Sequence, residues 1–133
     1  MSPRVRTAAR AAFALATVTL LTATHWPGIK IDGPVPRPDM WIHAFTYAVW
    51  TGLLLVSGLV GPPSLIRSAG LAVIVGVAFG SFDELTQPLF TRTADVTDLL
   101  ADAIGATLGA ALVLALSRRA DASLAPREPP APV

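Results

Sequence analysis

The residues that could do chemistry in this chain stand in three short runs. Asp39 is followed at helical spacing by His43 and Tyr47; Asp83 and Glu84 are followed by Gln87; Arg92 leads into Asp95, Asp98 and Asp102. Carboxylates with one imidazole can hold a divalent cation, and Asp83, Glu84 and Asp98 are the candidate ligands. An Asp beside a Glu can divide acid and base roles if their surroundings separate their pKa values. Arg92 offers a planar fork for a phosphate or carboxylate. The acids around it would repel a bare anion, so such a ligand needs a metal bridge or protonated carboxylates. Cysteine is absent, which excludes disulfides, thiolate metal sites and thiol nucleophiles.

The elements that carry these runs follow from composition. Of 133 residues, 53% are hydrophobic and 14% charged, with mean hydropathy +0.59. A soluble domain usually carries about 25% charged residues, so this chain has too few to cover a water-facing surface. A net charge of +1 provides no field for holding nucleic acid. The expected fold is all-α: an integral membrane bundle of four spanning helices, over Ala11–Trp26, Met40–Val60, Ser68–Phe82 and Ala103–Ser117. Residues 1–10 are expected to be a cytoplasmic segment, 11–117 the membrane domain, and 118–133 a disordered cytoplasmic tail. A Pro/Gly-rich loop is expected over 27–39, and a helix break at Gly61-Pro62-Pro63.

Basic residues set the orientation. Arg4, Arg6, Arg10, Arg67, Arg118, Arg119 and Arg127 fall on one side of four spans, whereas Lys30, Arg37 and Arg92 fall on the other. Both termini are therefore expected in the cytoplasm, with Trp26 and Trp41 at the outer interface. A signal peptide is the competing reading of the N-terminus. Thr24-His25-Trp26-Pro27 is a poor cleavage site, which favours a retained first span; His25 is expected to be solvent-exposed.

With this topology Asp39, Asp83, Glu84, Asp95, Asp98 and Asp102 converge on the outer leaflet. The uncharged stretch from Ser68 to Phe82 rises only about 22 Å. A hydrocarbon core of about 30 Å demands more, which puts Asp83, Glu84 and Asp102 just inside the boundary. Ionisable groups at such depth are costly and face the bundle interior. Gly76 and Gly80 lead into Asp83 and Glu84; Gly105 and Gly109 continue the face of Asp98 and Asp102. Each pair is a small-residue seam that lets helices approach closely.

These residues resemble the signature of the VanZ-like membrane family. That family reads D-E-x-x-Q, then R-x-x-D-x-x-D, then Asn or Asp before G-x-x-x-G; here these are Asp83, Glu84, Gln87, Arg92, Asp95, Asp98, Asp102, Gly105 and Gly109. Its upstream D-K-x-x-H-x-x-x-Y is matched by Asp39, His43 and Tyr47, with Met40 in place of the Lys. Asp102 stands where many members have Asn. Both departures make the cluster more negative and favour a bound cation or shared protons. The resemblance implies a multi-pass protein of the bacterial cytoplasmic (inner) membrane. It also brings an association, through the founding member, with low-level resistance to teicoplanin-type glycopeptides. It implies no reaction.

Four readings follow. The favoured one is a binding protein at the outer leaflet, with membrane lipids, a lipid-linked envelope precursor or a glycopeptide antibiotic as partner and no nucleic acid. The second is a metal-dependent enzyme acting on a lipid phosphate, disfavoured because metal-ligand spacing, a Ser/His/Asp order and a phosphate loop are all lacking. In the third, the polar groups only clamp helix ends. The last, a proton-coupled transporter, is opposed by the small number of spans and the lack of broken-helix repeats.

Overall fold

The computed structural model describes residues 2–27, 34, 36–61 and 64–124. Most of the Pro/Gly-rich loop, Pro62-Pro63 and residues 125–133, with Lys30 and Arg127, lie outside the described residues. Four helices run in order: α1 Pro3–His25, α2 Pro38–Ser57, α3 Leu65–Thr86 and α4 Val96–Leu124. A single 3-10 turn, Gln87–Phe90, follows α3 directly. All four helices are long and apolar enough to cross a membrane, and no strand occurs among the described residues.

The helices outrun their apolar stretches. α1 begins at Pro3, with Ser2 Oγ accepting from the Val5 amide at 3.4 Å. At the other end of the chain, α4 takes in Asp98 and Asp102 in its first turns and continues through Arg118 and Arg119 to Leu124. Residues 118–124, expected in a disordered tail, are thus helical. Hydropathy marks where a helix is in lipid; caps and backbone hydrogen bonds decide where it ends. Ser64 caps α3, its Oγ accepting from the Arg67 amide at 3.3 Å. Gly58, at φ 68°, closes α2 in a left-handed conformation suited to glycine.

The interior mixes Leu20, Tyr47, Trp50, Leu54 and Leu55 with small and polar residues, and the exterior is largely apolar. Ala69, Ala72, Ala101, Ala106 and Ala110 are buried, while Leu15, Phe45, Ile74, Leu108 and Leu112 face outward. Such an exterior suits lipid, where association relies on close packing rather than on hiding leucines from water. α2 packs most extensively on α4, α3 next on α4, and α1 against α2. Gly105 and Gly109 make the α2–α4 contact: a Cβ on either would collide with the backbone carbonyl of Ala44 or Ala48. Gly76 and Gly80 face the side chains of Thr51 and Ala106, and of Asp102 and Tyr47, respectively. Farther from the acids, the Trp50 indole stacks on Phe79 at 4.7 Å and donates to Thr17 Oγ1 at 2.9 Å, which ties α1 to α2 and α3.

Successive helices alternate in direction. The Arg10 Nε donates to the Ser57 carbonyl at 3.1 Å, and Arg6 lies beside Gly58, so α1 begins where α2 ends. Arg6, Gly58, Leu65, Ser117 and Asp121 line one cavity at that end. The acid runs gather at the opposite end.

Candidate functional site

Three helix ends build the site: the start of α2, the last turn of α3 and the start of α4. His43 and Tyr47 share a face of α2, one turn apart, and both are buried. Asp98 and Asp102 share a face of α4; Asp102 is fully buried and Asp98 half-buried. Asp83, Glu84 and Gln87 lie at the junction of α3 with the 3-10 turn, all buried. Thus the structure brings His43, Tyr47, Asp83, Glu84, Gln87, Asp98 and Asp102 together at one end of the bundle.

Neighbouring Asp83 and Glu84 face different partners, because consecutive helical residues point about 100° apart. The Asp83 Oδ1 accepts from Thr24 Oγ1 at 2.7 Å and lies 3.5 Å from His25 Nδ1, so it is tied to α1. Glu84 turns toward α4: its Oε2 accepts from the Asp95 amide at 2.8 Å, and its Oε1 from Gln87 Nε2 at 2.8 Å. Gln87 also reaches Asp83 Oδ2 at 3.4 Å, bridging the two acids. His43 Nδ1 is 2.8 Å from Asp102 Oδ1, and its Nε2 is 4.0 Å from Asp98 Oδ2. The group whose ligand atoms converge is His43, Glu84 and Asp98, all within 4.8 Å of one another. Among the expected ligands Asp83, Glu84 and Asp98, the first is directed to Thr24 instead, and the imidazole takes its place.

Arg37 stands over the mouth of the cluster. Its Nη2 donates to Asp39, Asp95 and Asp98 at 3.1, 2.9 and 3.3 Å. It does so from a left-handed backbone, φ 49°, at the residue preceding α2. Strain of this kind at a non-glycine residue persists only where surrounding contacts hold it. The hydrogen bond to Asp39 leads in raising the guanidinium above its ordinary value, with Asp95 contributing. Asp95 caps α4: its Oδ1 accepts from the Thr97 hydroxyl at 2.7 Å and from the Thr97 amide at 2.8 Å. Those bonds, then Arg37, hold its carboxyl below the usual range. Asp39 lies in the first turn of α2 rather than at its cap.

Sequence reasoning missed Thr24, His25 and Arg37. His25, expected in solvent, is half-buried: its Nε2 is 2.8 Å from Thr86 Oγ1, and its ring meets Phe90 edge-on at 4.9 Å. In the sequence Arg37 marks topology and nothing more. It places a cation at the acids in a chain whose position 40 is Met. Arg92 is half-buried in the turn before α4, with its amide donating to the Gln87 carbonyl at 3.3 Å. Beside Arg37 an apolar groove of about 510 Å³ opens between α2 and α4, lined by Pro36, Met40, Trp41, Ala44, Ala101 and Ile104.

A family model described as VanZ/LLP1 matches residues 13–117, a stretch that contains every residue of this cluster. No curated protein and no solved structure matches the chain.

Proposed function

Since the chain belongs to the VanZ/LLP1 family, we propose that it acts in the bacterial inner membrane, at the extracytoplasmic leaflet, by binding the headgroup of an amphiphile. The observation that carries this reading is the pairing of Arg37 with the groove beside it: a half-exposed guanidinium, carried on a left-handed backbone, at the rim and an apolar cleft beside it. A guanidinium binds phosphate or carboxylate oxygens in pairs, and the cleft between Trp41 and Ile104 suits an acyl or prenyl chain. The carboxylates on Arg37 fix its position, and because they would repel a bare anion, the headgroup oxygens reach the guanidinium together with a bridging cation or a shared proton. A lipid-linked wall precursor and an amphiphilic glycopeptide of the teicoplanin type share this chemistry with an anionic phospholipid. Through it the protein would alter envelope composition or glycopeptide susceptibility.

Trp41 provides the readout. In phosphatidylcholine nanodiscs, adding phosphatidylglycerol, a polyprenyl phosphate or teicoplanin should shift its emission saturably, and the ligand with the lowest half-saturation identifies the source. Trp41→Phe should remove the signal, and Arg37→Ala should weaken binding at least tenfold. In cells, Glu84→Gln, Arg92→Ala and Asp98→Asn should abolish an envelope or glycopeptide phenotype while the protein still inserts. Equal binding by Arg37→Ala for all three ligands, or full complementation by every variant, would sink the reading.

A further inference from the structure

His43 sits between two carboxylates of α4 that lie one turn apart. Its Nδ1 lies 2.8 Å from Asp102 Oδ1 and its Nε2 4.0 Å from Asp98 Oδ2; in the neutral tautomer that donates Nδ1–H to Asp102, Nε2 is the nitrogen with a lone pair for a cation. A carboxylate behind an imidazole in this way fixes ring and tautomer, and it is one of the three partners, with a backbone carbonyl and water, that metal-bound histidines almost always keep on their other nitrogen. The other two groups are also held from behind. The Asp98 Oδ1 accepts from Arg37 at 3.3 Å, and Glu84 accepts from Gln87 and from the Asp95 amide. Three helices thus present one ligand atom each, within 4.8 Å of one another.

A second observation is independent of that grouping. Among the described residues, the Tyr47 hydroxyl and Asp102 Oδ2 are buried without a hydrogen-bond partner. Tyr47 is 1% exposed and lies one turn below His43 on the same face of α2. Side chains on a helix lean toward its N-terminus, here the acid end, and the hydroxyl lies within electrostatic reach of Asp102, Asp83 and Glu84. Buried polar atoms seldom go unpaired, and a polar occupant of the site, such as a metal-bound water, would give these two a partner.

We propose that His43 Nε2, a Glu84 oxygen and Asp98 Oδ2 bind a divalent transition-metal ion, Zn²⁺ or Mn²⁺ in preference to Mg²⁺ or Ca²⁺. Two carboxylates balance a charge of +2. The imidazole favours a borderline ion, and so few oxygens fall short of the six to eight that Ca²⁺ takes. Bonds of about 2.0–2.1 Å require the ligand atoms to draw in to about 3.3 Å of one another in tetrahedral geometry. That adjustment falls to the two carboxyl groups, because Asp102 anchors the imidazole. Three protein ligands leave a position for water or for an oxygen of a bound headgroup. Metal binding shares Arg37 with the proposed headgroup site through Asp98, but it needs no amphiphile and is tested in a neutral lipid without one.

The test uses the full chain in phosphatidylcholine nanodiscs, stripped by chelator and dialysed against each metal alone. One equivalent of Zn²⁺ or Mn²⁺ should bind saturably and raise the unfolding temperature, with Mg²⁺ and Ca²⁺ at least tenfold weaker. His43→Gln, Glu84→Gln and Asp98→Asn should each weaken binding at least 100-fold. Asp102→Asn should weaken it about 10- to 100-fold as an outer partner, and Asp121→Asn, at the far end of α4, should leave it unchanged. X-ray absorption on the wild-type complex should show the outer-shell scattering of one imidazole, a readout that no variant's misfolding can confuse. The proposal is overturned by lack of saturable binding, by Mg²⁺ or Ca²⁺ binding as tightly, by wild-type affinity in His43→Gln, or by a spectrum without imidazole.

Discussion

Asp95 works at both ends of its backbone unit. Its side chain caps α4 through Thr97, and its amide donates to Glu84, so one residue locks the start of α4 to the end of α3. The carboxyl titrates below its ordinary value of 3.8 because Thr97 and Arg37 favour the charged form. A group depressed on folding contributes its stability above the unfolded pKa and loses it as pH falls through the folded one. The Asp95 contribution should therefore be complete above pH 3.8 and fade below it. Asn also caps helices, so Asp95→Asn should be less stable than wild type at neutral pH, with the gap narrowing as pH falls below that value. Thermal unfolding in nanodiscs from pH 3 to 7 checks this; a gap that stays constant across the range refutes it.

Helix pairs depend on residues with no chemistry at all. The α2–α4 contact sets His43 against Asp98 and Asp102, and it closes because Gly105 and Gly109 let α4 lie on the Ala44 and Ala48 carbonyls. Gly105→Ala should cost about 1–3 kcal/mol, the usual range for overpacking, and widen the distance across the polar cluster. Gly70 is the control. A Cβ there meets nothing within 4 Å, so Gly70→Ala should be neutral, or stabilising by up to about 1 kcal/mol from helix propensity. The unfolding midpoint should fall for Gly105→Ala and hold or rise for Gly70→Ala; equal midpoints would mean that the seam does not set the packing.

At the scale of the whole molecule, the charge pattern and the fold define two unlike ends. Arg6, Arg10, Arg118 and Arg119 lie toward one, with Asp121 among them, and Asp39, Asp83, Glu84, Asp95, Asp98 and Asp102 lie at the other. Under the positive-inside rule the acid end should face out. Because the chain has no cysteine, single replacements report this directly. In intact spheroplasts an impermeant maleimide should label Thr93→Cys, in the turn before α4, and leave Ser2→Cys and Ser123→Cys unlabelled until lysis. The reverse pattern would place the polar site in the cytoplasm and remove wall precursors and antibiotics as ligands.

Hydropathy determined that the chain makes four membrane helices, and because successive spans alternate in direction it also determined that six acids gather at one end. Helical spacing likewise placed His43 with Tyr47 and Asp98 with Asp102, because local geometry repeats every 3.6 residues. Which acid meets which partner was decided only by tertiary packing. Asp83 and Glu84 are adjacent in sequence, yet one bonds to Thr24 of α1 and the other to the start of α4. That division depends on how α3 is rotated between its neighbours, and no periodicity within α3 records where α1 lies. Arg37 was hidden for the same reason: its guanidinium meets Asp95 and Asp98 across 58 and 61 residues of chain, a separation that only the packed bundle closes.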